Sequence, residues 1–291
     1  MSIVFIGTVL FSKYMLEEII KHSVDVAAVI TKKESNFNSD FYDLSPICRT
    51  YNIPCRYTDN INSEEDVCYI QKLNPDIIVC LGWSNLLKQP LLDIAPVIGF
   101  HPSQLPSNRG RHPLIWALAL GLDKTASTFF FMDQKADSGD IISQETVPIA
   151  YHDNAATLYE KVVHVASKQI KDICEQLKTG SIKSSPQDDG ESNTWRKRGQ
   201  KDGMIDFRMT SRAIYNVVRS LTRPYCGAHL MYNGKSIAVW NAVEKECSNR
   251  NIEPGKILNI VGNKLTIKTY DGAIDIVEHE FNDMPTIGEY L

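Results

Sequence analysis

Short apolar runs alternate with amphipathic segments through the first 180 residues of the chain. Continuous apolar or β-branched runs are typical of strands that are buried on both faces of a sheet. They occur at residues 3–6, 25–31, 76–81, 97–100 and 125–132. Apolar residues at helical spacing occur at residues 10–20, 44–51, 86–92, 112–120 and 155–177. This alternation predicts a mostly parallel sheet with helices on both faces.

The pattern changes after Gly180. Residues 181–203 are polar and lack hydrophobic periodicity, which is typical of a linker or a functional loop. A helix is predicted at 210–222, and short strands follow at residues 229–231, 236–240, 256–260, 264–268 and 273–278. We therefore predict an α/β protein in which a Rossmann-like, mostly parallel sheet domain is followed by a smaller, mainly antiparallel β domain. The predicted boundaries are 1–180 for the first domain, 181–203 for the linker and 204–291 for the second domain.

The composition is that of an ordinary globular protein. The 291 residues are 43% hydrophobic and 23% charged, and a net charge of −4 argues against broad electrostatic attraction to nucleic acid. Seven cysteines without a Cys-x-x-Cys pair predict neither a disulfide framework nor a zinc site. No apolar run has the length of a membrane span, and the first one lacks the basic start of a signal peptide. We expect a cytoplasmic protein without a metal site, which binds neither nucleic acid nor membrane.

Two groups suited to proton transfer follow predicted strands. His101 comes directly after the strand at 97–100, and Asp137 follows the strand at 125–132 after a short loop. In a parallel sheet both would reach the edge at the carboxyl ends of the strands, where open α/β sheets bind their ligands. A carboxylate beside an imidazole orients the ring and stabilises its charged form. The alternative is a buried histidine with a structural hydrogen bond.

Arginines near predicted turns are candidates for anion binding. Arg109 and Arg111 precede the predicted helix at 112–120, and exposed N–H groups at a helix start suit an anion. Either arginine could instead pair with a structural carboxylate and order the loop.

A second basic cluster lies in the predicted linker. Arg196 and Arg198 flank Lys197 and either bind a diphosphate, whose oxygens match the guanidinium fork, or are simply solvated. Tyr225 follows Arg223-Pro224 and either presents its ring to a nucleobase or packs within a turn.

Ordered motifs along the whole chain identify a family resemblance. They lie at residues 3–8, 75–84, 101–113, 132–141, 202–206 and 221–228. The two most specific are His101-Pro102-Ser103 with Asn108-Arg109-Gly110, and Asp133 with Asp137-Ser138-Gly139-Asp140. Together they resemble the N10-formyltetrahydrofolate-dependent formyltransferases, most closely the branch that acts on nucleotide-linked amino sugars.

The resemblance implies roles for individual residues. His101 matches the catalytic histidine of the family and Asp137 its catalytic aspartate. The implied pterin pocket is formed by Asn85, Leu86, Leu87 and the loop from Asp133 to Asp137. Independently of the resemblance, the residue types and positions described above make five residues candidates to contact the nucleotide-linked sugar: Arg109, Arg111, Arg196, Arg198 and Tyr225.

The resemblance also implies a reaction. N10-formyltetrahydrofolate is the expected co-substrate, and the amine of a nucleotide-linked 4-amino-4,6-dideoxyhexose is the expected acceptor. The expected product serves surface polysaccharide, such as the O-antigen of lipopolysaccharide, and the expected assembly is a homodimer. Methionyl-tRNA formyltransferase, which shares both domains, is an alternative. A non-catalytic relative that binds folate or a nucleotide sugar is another.

One position departs from the family pattern. The family has asparagine two residues before the histidine, where its amide helps to hold the oxyanion, whereas this chain has Gly99. Loss of one such donor costs about 2.7–4 kcal/mol in other enzymes. Ser103, Asn108 or a backbone amide could supply a replacement, and the sequence does not choose among them.

Overall fold

The computed structural model describes residues 1–35 and 39–291. The chain forms two compact units. The first comprises Met1–Pro113, Thr125–Val147 and Glu160–Trp195. The second comprises Leu114–Lys124, Pro148–Tyr159 and Arg196–Leu291. Among the described residues, no helix is both long and apolar enough to cross a membrane.

The strands and helices follow each other along both units. In chain order the strands are β1 (Ser2–Ile6), β2 (Asp25–Thr31), β3 (Cys55–Tyr57), β4 (Ile77–Cys80), β5 (Val97–His101), β6 (Arg109–Gly110), β7 (Lys124–Phe131), β8 (Ile141–Pro148), β9 (Thr194–Trp195), β10 (Ala228–Tyr232), β11 (Lys235–Lys245), β12 (Ile257–Val261), β13 (Lys264–Lys268) and β14 (Ala273–His279). The helices are α1 (Leu10–Lys21), α2 (Ser45–Tyr51), α3 (Glu64–Leu73), α4 (Gln89–Leu92), α5 (Pro113–Ala119), α6 (Ala155–Thr179) and α7 (Ser211–Leu221). Two short 3-10 turns lie at Asp189–Glu191 and Gln200–Gly203.

The first unit is built on a seven-stranded sheet with the order β3-β2-β1-β4-β5-β7-β8. From β3 to β5 all neighbouring strands pair in parallel. Val4 and Ile6 of β1 pack on one face of the sheet with Ile70 of α3 and Leu91 of α4. Ile3 and the other residues on the opposite face of β1 are also fully buried. The sheet is therefore covered on both faces, which is why β1 has a continuous apolar sequence.

The strand order reverses at the centre of this sheet. From β1 the chain adds β2 and β3 on one side, and it then returns to add β4 and β5 on the other. Open α/β sheets bind their ligands at the carboxyl ends of the strands beside such a reversal. His101, the last residue of β5, lies at this edge of the sheet.

The second unit contains a five-stranded antiparallel sheet with the order β10-β11-β14-β13-β12. Helix α7 begins at Ser211, and its N-cap residue Thr210 accepts a hydrogen bond from the N–H of Ala213. The apolar face of α7 contributes Ile214, Val218 and Leu221 to the core of this unit.

The predicted α/β class, with a mostly parallel sheet and a smaller antiparallel one, is confirmed. One inference within it is wrong, because β7 runs antiparallel to β5, with His101 opposite Thr128 and Ile98 opposite Phe131. The carboxyl end of β7 therefore lies beside the start of β5, and Asp137 does not reach His101 through parallel strand ends. The helix predicted at 86–92 begins only at Gln89.

Candidate active site

His101 is buried at the end of β5, with 5% of its surface exposed. Its Nε2 lies 2.8 Å from the carbonyl oxygen of Asn108. A carbonyl can only accept a hydrogen bond, so Nε2 carries the proton in this arrangement. In the neutral ring Nδ1 is then the basic nitrogen, and it lies 3.6 Å from Oδ2 of Asp137. His101 and Asp137, called the dyad below, therefore stand in a geometry suited to accepting a proton and stabilising the resulting charge.

Asp137 is positioned by an unusual backbone conformation and by one amide. Its φ of 58° lies in the left-handed region, which aspartate tolerates better than most side chains. Its Oδ2 accepts a hydrogen bond of 2.9 Å from the N–H of Gly110. The same oxygen thus faces both Gly110 and His101.

The loop after β7 brings Asp137 back to His101. The N–H of Phe131 donates to the carbonyl of Asp140 at 2.9 Å, so residues 132–140 fold back beside the end of β7. Gly139 makes this return possible, because a Cβ atom there would lie 1.8 Å from the carbonyl oxygen of Phe131. Asp133 closes the loop internally by accepting from the Lys135 N–H and the Ser138 hydroxyl. Asp137 therefore reaches His101 through the loop after β7, which reverses the direction of the chain.

The predicted pterin residues lie on the loop between β4 and α4. Asn85 and Leu86 are exposed, Leu86 by 58% of its surface, whereas Leu87 is buried in the core. Asn62 holds this loop from both sides. Its Nδ2 donates to the Leu86 carbonyl at 2.9 Å, and its Oδ1 accepts from the Lys88 N–H at 2.7 Å. An exposed leucine beside a fixed main chain is therefore available at the sheet edge.

Arg109 and Arg111 differ in their surroundings. Arg109 is 8% exposed, and its guanidinium donates to Oε1 of Gln187 and to Oδ1 of Asp189, both at 2.8 Å from Nη2. These contacts correspond to the loop-ordering role. Arg111 is exposed, and among the described residues its guanidinium has no hydrogen bond or ion pair.

The other predicted sugar-binding residues belong to the second unit. Arg196 forms two hydrogen bonds with the carboxylate of Asp202, and with Gly199 N–H this holds the pKa of Asp202 well below its usual range. Arg198 is 9% exposed and donates to the carbonyl of Asp202. The Cζ atoms of Arg196 and Arg198 lie 5.2 and 5.1 Å from the centroid of the Trp116 ring. Tyr225 is partly buried against the core.

Residues 185–195 contribute to the site although their sequence predicted only a linker or functional loop. This segment, called the return segment below, hydrogen-bonds to both loops that carry the dyad. It pairs with β6 through β9. Its side-chain contacts to these loops come from Gln187, Asp189 and Asn193. Polar side chains of these kinds occur in most loops, so no local pattern in the sequence indicated this role.

The side chain of Met132 occupies the space that a side chain at position 99 would need. A Cβ atom at Gly99 would lie 2.7 Å from Cγ of Met132 and 3.2 Å from Cζ of Phe130. Of the candidate replacements for the missing amide, Ser103 already donates its hydroxyl to the Ser107 carbonyl at 3.0 Å. The side-chain amide of Asn108 has no hydrogen bond among the described residues.

Gly99→Asn is expected to lower the free energy of unfolding by about 1–3 kcal/mol, because the new side chain must displace Met132. In the Gly99→Asn/Met132→Ala double variant the loss should be smaller than the sum of the two single losses by about 1 kcal/mol. Urea denaturation of the four proteins measures this coupling. Strictly additive losses would contradict the assignment of Met132 to this space.

Sequence comparison identifies two domain families in this chain. A formyl transferase domain matches residues 1–173, and a formyl transferase C-terminal domain matches residues 198–288. The first match alone covers more than half of the 291 residues.

Solved structures share the fold across both units. WlaRD, a sugar 3N-formyltransferase crystallised in the presence of dTDP and 5-N-formyl-tetrahydrofolate, has 20% identity and a TM-score of 0.72, with 98% of this chain and 99% of that chain covered. The N-formyltransferase from Helicobacter canadensis, in complex with folinic acid and dTDP-3-aminofucose, has 18% identity and a TM-score of 0.73, covering 95% and 98%. HypX from Aquifex aeolicus with tetrahydrofolic acid has 20% identity and a TM-score of 0.68, covering 97% of this chain but 44% of its own. The chain thus spans less than half the length of HypX. The domain matches show that this chain belongs to the formyl transferase family, as its motifs predicted.

Proposed function

We propose that the protein transfers a formyl group from N10-formyltetrahydrofolate to the amine of a nucleotide-linked deoxyamino sugar. The observation that carries this proposal is the dyad, in which Nδ1 of His101 faces Oδ2 of Asp137 at 3.6 Å. It occurs in a chain whose family is that of the formyl transferases.

In the proposed reaction the dyad accepts the proton that the attacking amine loses. An amine that attacks a formyl carbon gains positive charge as its new C–N bond forms, and it must lose a proton. Nδ1 of His101 accepts that proton, because Nε2 is already protonated against the Asn108 carbonyl. The carboxylate of Asp137 stabilises the imidazolium, and the N–H of Gly110 keeps this carboxylate in place. The same proton can pass to the leaving nitrogen, so the reaction needs no net proton from solvent.

The loop between β4 and α4 fits the folate. Leu86 offers an exposed apolar side chain, and Asn62 fixes the main chain around it. Trp83, on the same loop, has a buried indole N–H without a hydrogen-bond partner among the described residues. A pterin ring is flat and carries both donors and acceptors, so apolar contact and main-chain hydrogen bonds suit it. We assign it to Asn85, Leu86, Leu87 and the loop from Asp133 to Asp137. When bound, the folate supplies the formyl group.

The proposed acceptor rests on the sequence motifs and on the ligands bound by structural neighbours. Among the structural neighbours, WlaRD was crystallised in the presence of dTDP, and the Helicobacter canadensis N-formyltransferase was crystallised with dTDP-3-aminofucose. We infer a nucleotide-linked sugar here and, from the sequence motifs, an amine at C4 of a 4,6-dideoxyhexose. Arg111 is an exposed arginine of the first unit, and its guanidinium suits an anionic phosphate. We further propose that the protein is a cytoplasmic homodimer serving surface polysaccharide such as O-antigen.

Charge favours this acceptor over initiator tRNA. The stretch 204–291 contains ten basic and ten acidic residues. Recognition of tRNA requires an excess of basic side chains over a large surface, because phosphate neutralisation dominates the affinity. A balanced domain is therefore better suited to a small ligand.

An acceptor panel tests the proposal. We expect N10-formyltetrahydrofolate to be consumed with dTDP-, GDP- or UDP-linked 4-amino-4,6-dideoxyhexoses, and the product to gain the mass of one formyl group. The corresponding 3-amino sugars and methionyl initiator tRNA complete the panel. Turnover with the 3-amino sugars alone would show that the acceptor amine is at C3 and not at C4, and the proposed formyl transfer would stand. Turnover with the tRNA alone, or ligand binding without any turnover, would overturn the proposal.

A further inference from the structure

One peptide group links His101 to the return segment. The carbonyl of Asn108 accepts from Nε2 of His101 at 2.8 Å, and the N–H at the other end of this peptide, that of Arg109, donates to the carbonyl of Asn193 at 3.0 Å. The side chain of Asn193 binds the preceding amide as well, since its Oδ1 accepts from the Asn108 N–H at 2.7 Å. Asn193 therefore holds both amide groups that flank Asn108.

The orientation of the Asn108 carbonyl decides which nitrogen of His101 is basic. Asn108 has a φ of 65°, in the left-handed region, which asparagine adopts more readily than most residues. Asn193 accepts hydrogen bonds from the N–H groups of Asn108 and Arg109, and these two bonds fix the Asn108 carbonyl against Nε2. Nδ1 is thereby left as the nitrogen that faces Asp137.

The other member of the dyad is held by Gln187. Its Nε2 donates to the carbonyls of Asp137 and Gly139 at 3.0 and 2.6 Å. Its Oε1 accepts from the guanidinium of Arg109 at 2.8 Å. One side chain therefore joins the loop that carries Asp137 to the loop that carries Asn108.

We propose that Asn193 and Gln187 are positioning residues of the dyad: Asn193 selects the proton-bearing nitrogen of His101, and Gln187 sets the place of Asp137. The return segment is thus part of the active-site machinery. The inference concerns how the dyad is built, and its catalytic meaning rests on the proposed function.

Substitutions at Asn193 separate this role from simple stability. Asn193→Ala removes the side-chain acceptor and keeps the main-chain bond to Arg109. We expect kcat to fall about 10- to 100-fold, the range for small misplacements of reacting groups, with both KM values within about twofold. Asn193→Asp keeps an oxygen that can accept from the Asn108 N–H, so it should retain kcat within about threefold. Asn251→Ala, at an exposed asparagine of the second unit, is the matched control and should leave kcat unchanged.

Gln187→Glu tests the other contact. It keeps an acceptor for Arg109 and replaces the donated N–H groups with a carboxylate, which two carbonyl oxygens repel. We expect kcat to fall about tenfold or more with little change in KM. Gln71→Glu, at an exposed position of α3, is its control.

Nitrogen NMR of histidine-labelled protein reads the tautomer directly and does not depend on turnover. The neutral His101 ring should carry its proton on Nε2 in the unsubstituted protein and in Asn193→Asp, and a mixture of Nε2–H and Nδ1–H should occur in Asn193→Ala. The signal is assigned by its absence in His101→Gln. If Asn193→Ala leaves both kcat and the tautomer unchanged, the positioning role is wrong. If the tautomer shifts but no acceptor is formylated, the positioning role stands and the proposed function fails.

Discussion

His101→Gln is expected to lower kcat by about 10²- to 10⁴-fold, the range that a positioned general base contributes. Glutamine has similar size and can still donate to the Asn108 carbonyl, but it has no basic nitrogen to accept the amine proton. Asp137→Asn should have a loss of similar order, because the imidazolium then forms beside a neutral amide. Asparagine keeps an oxygen for the Gly110 N–H, so the loop should remain folded.

The effects of the two substitutions on kcat should not be additive. A base and the carboxylate that stabilises its charged form act as one unit, so the double variant should be about as slow as the slower single variant. Steady-state kinetics with the best acceptor of the panel, together with thermal unfolding of each variant, measures both quantities. His164→Gln and Asp172→Asn, at exposed positions of α6, are the matched controls. Single variants with kcat within fivefold of the unsubstituted protein would remove the dyad from the mechanism.

Gly139→Ala is expected to lower the free energy of unfolding by about 3 kcal/mol or more and to abolish turnover. The added Cβ atom would lie 1.8 Å from the carbonyl oxygen and 2.9 Å from the carbonyl carbon of Phe131. Both are backbone atoms of β7 and cannot move as a flexible side chain does, so the loop must open. Asp137 lies two residues away and would leave His101.

Urea denaturation and kcat of Gly139→Ala test this expectation. Gly199→Ala is the control, because no atom lies within 4 Å of a Cβ there and its φ is −114°. The control should change the free energy of unfolding by less than about 0.5 kcal/mol. A Gly139→Ala protein with unchanged stability would mean that the loop after β7 does not pack against Phe131 as described.

The local sequence was sufficient to predict those strands that are buried along nearly their whole length. The strands β1, β2 and β4 could be predicted, because parallel strands covered on both faces have continuous apolar sequences. Helix α3 was missed, since it buries only Asp66 and Ile70 and has a polar sequence otherwise. Strand β8 was missed for the same reason: most of its residues are partly or fully exposed.

The amino-acid sequence alone was enough to predict the fold class, the family, and the residue types from which a proton-transfer site could be made. It did not predict the direction of β7, the reversed loop that brings Asp137 to His101, or the role of the return segment. These features depend on contacts between residues that are far apart in the chain. The Gly110 N–H and the Asp137 carboxylate are 27 residues apart, and the Asn108 N–H and Asn193 are 85 apart. Hydrogen bonds over such separations impose no spacing on the chain, so no local pattern can record them.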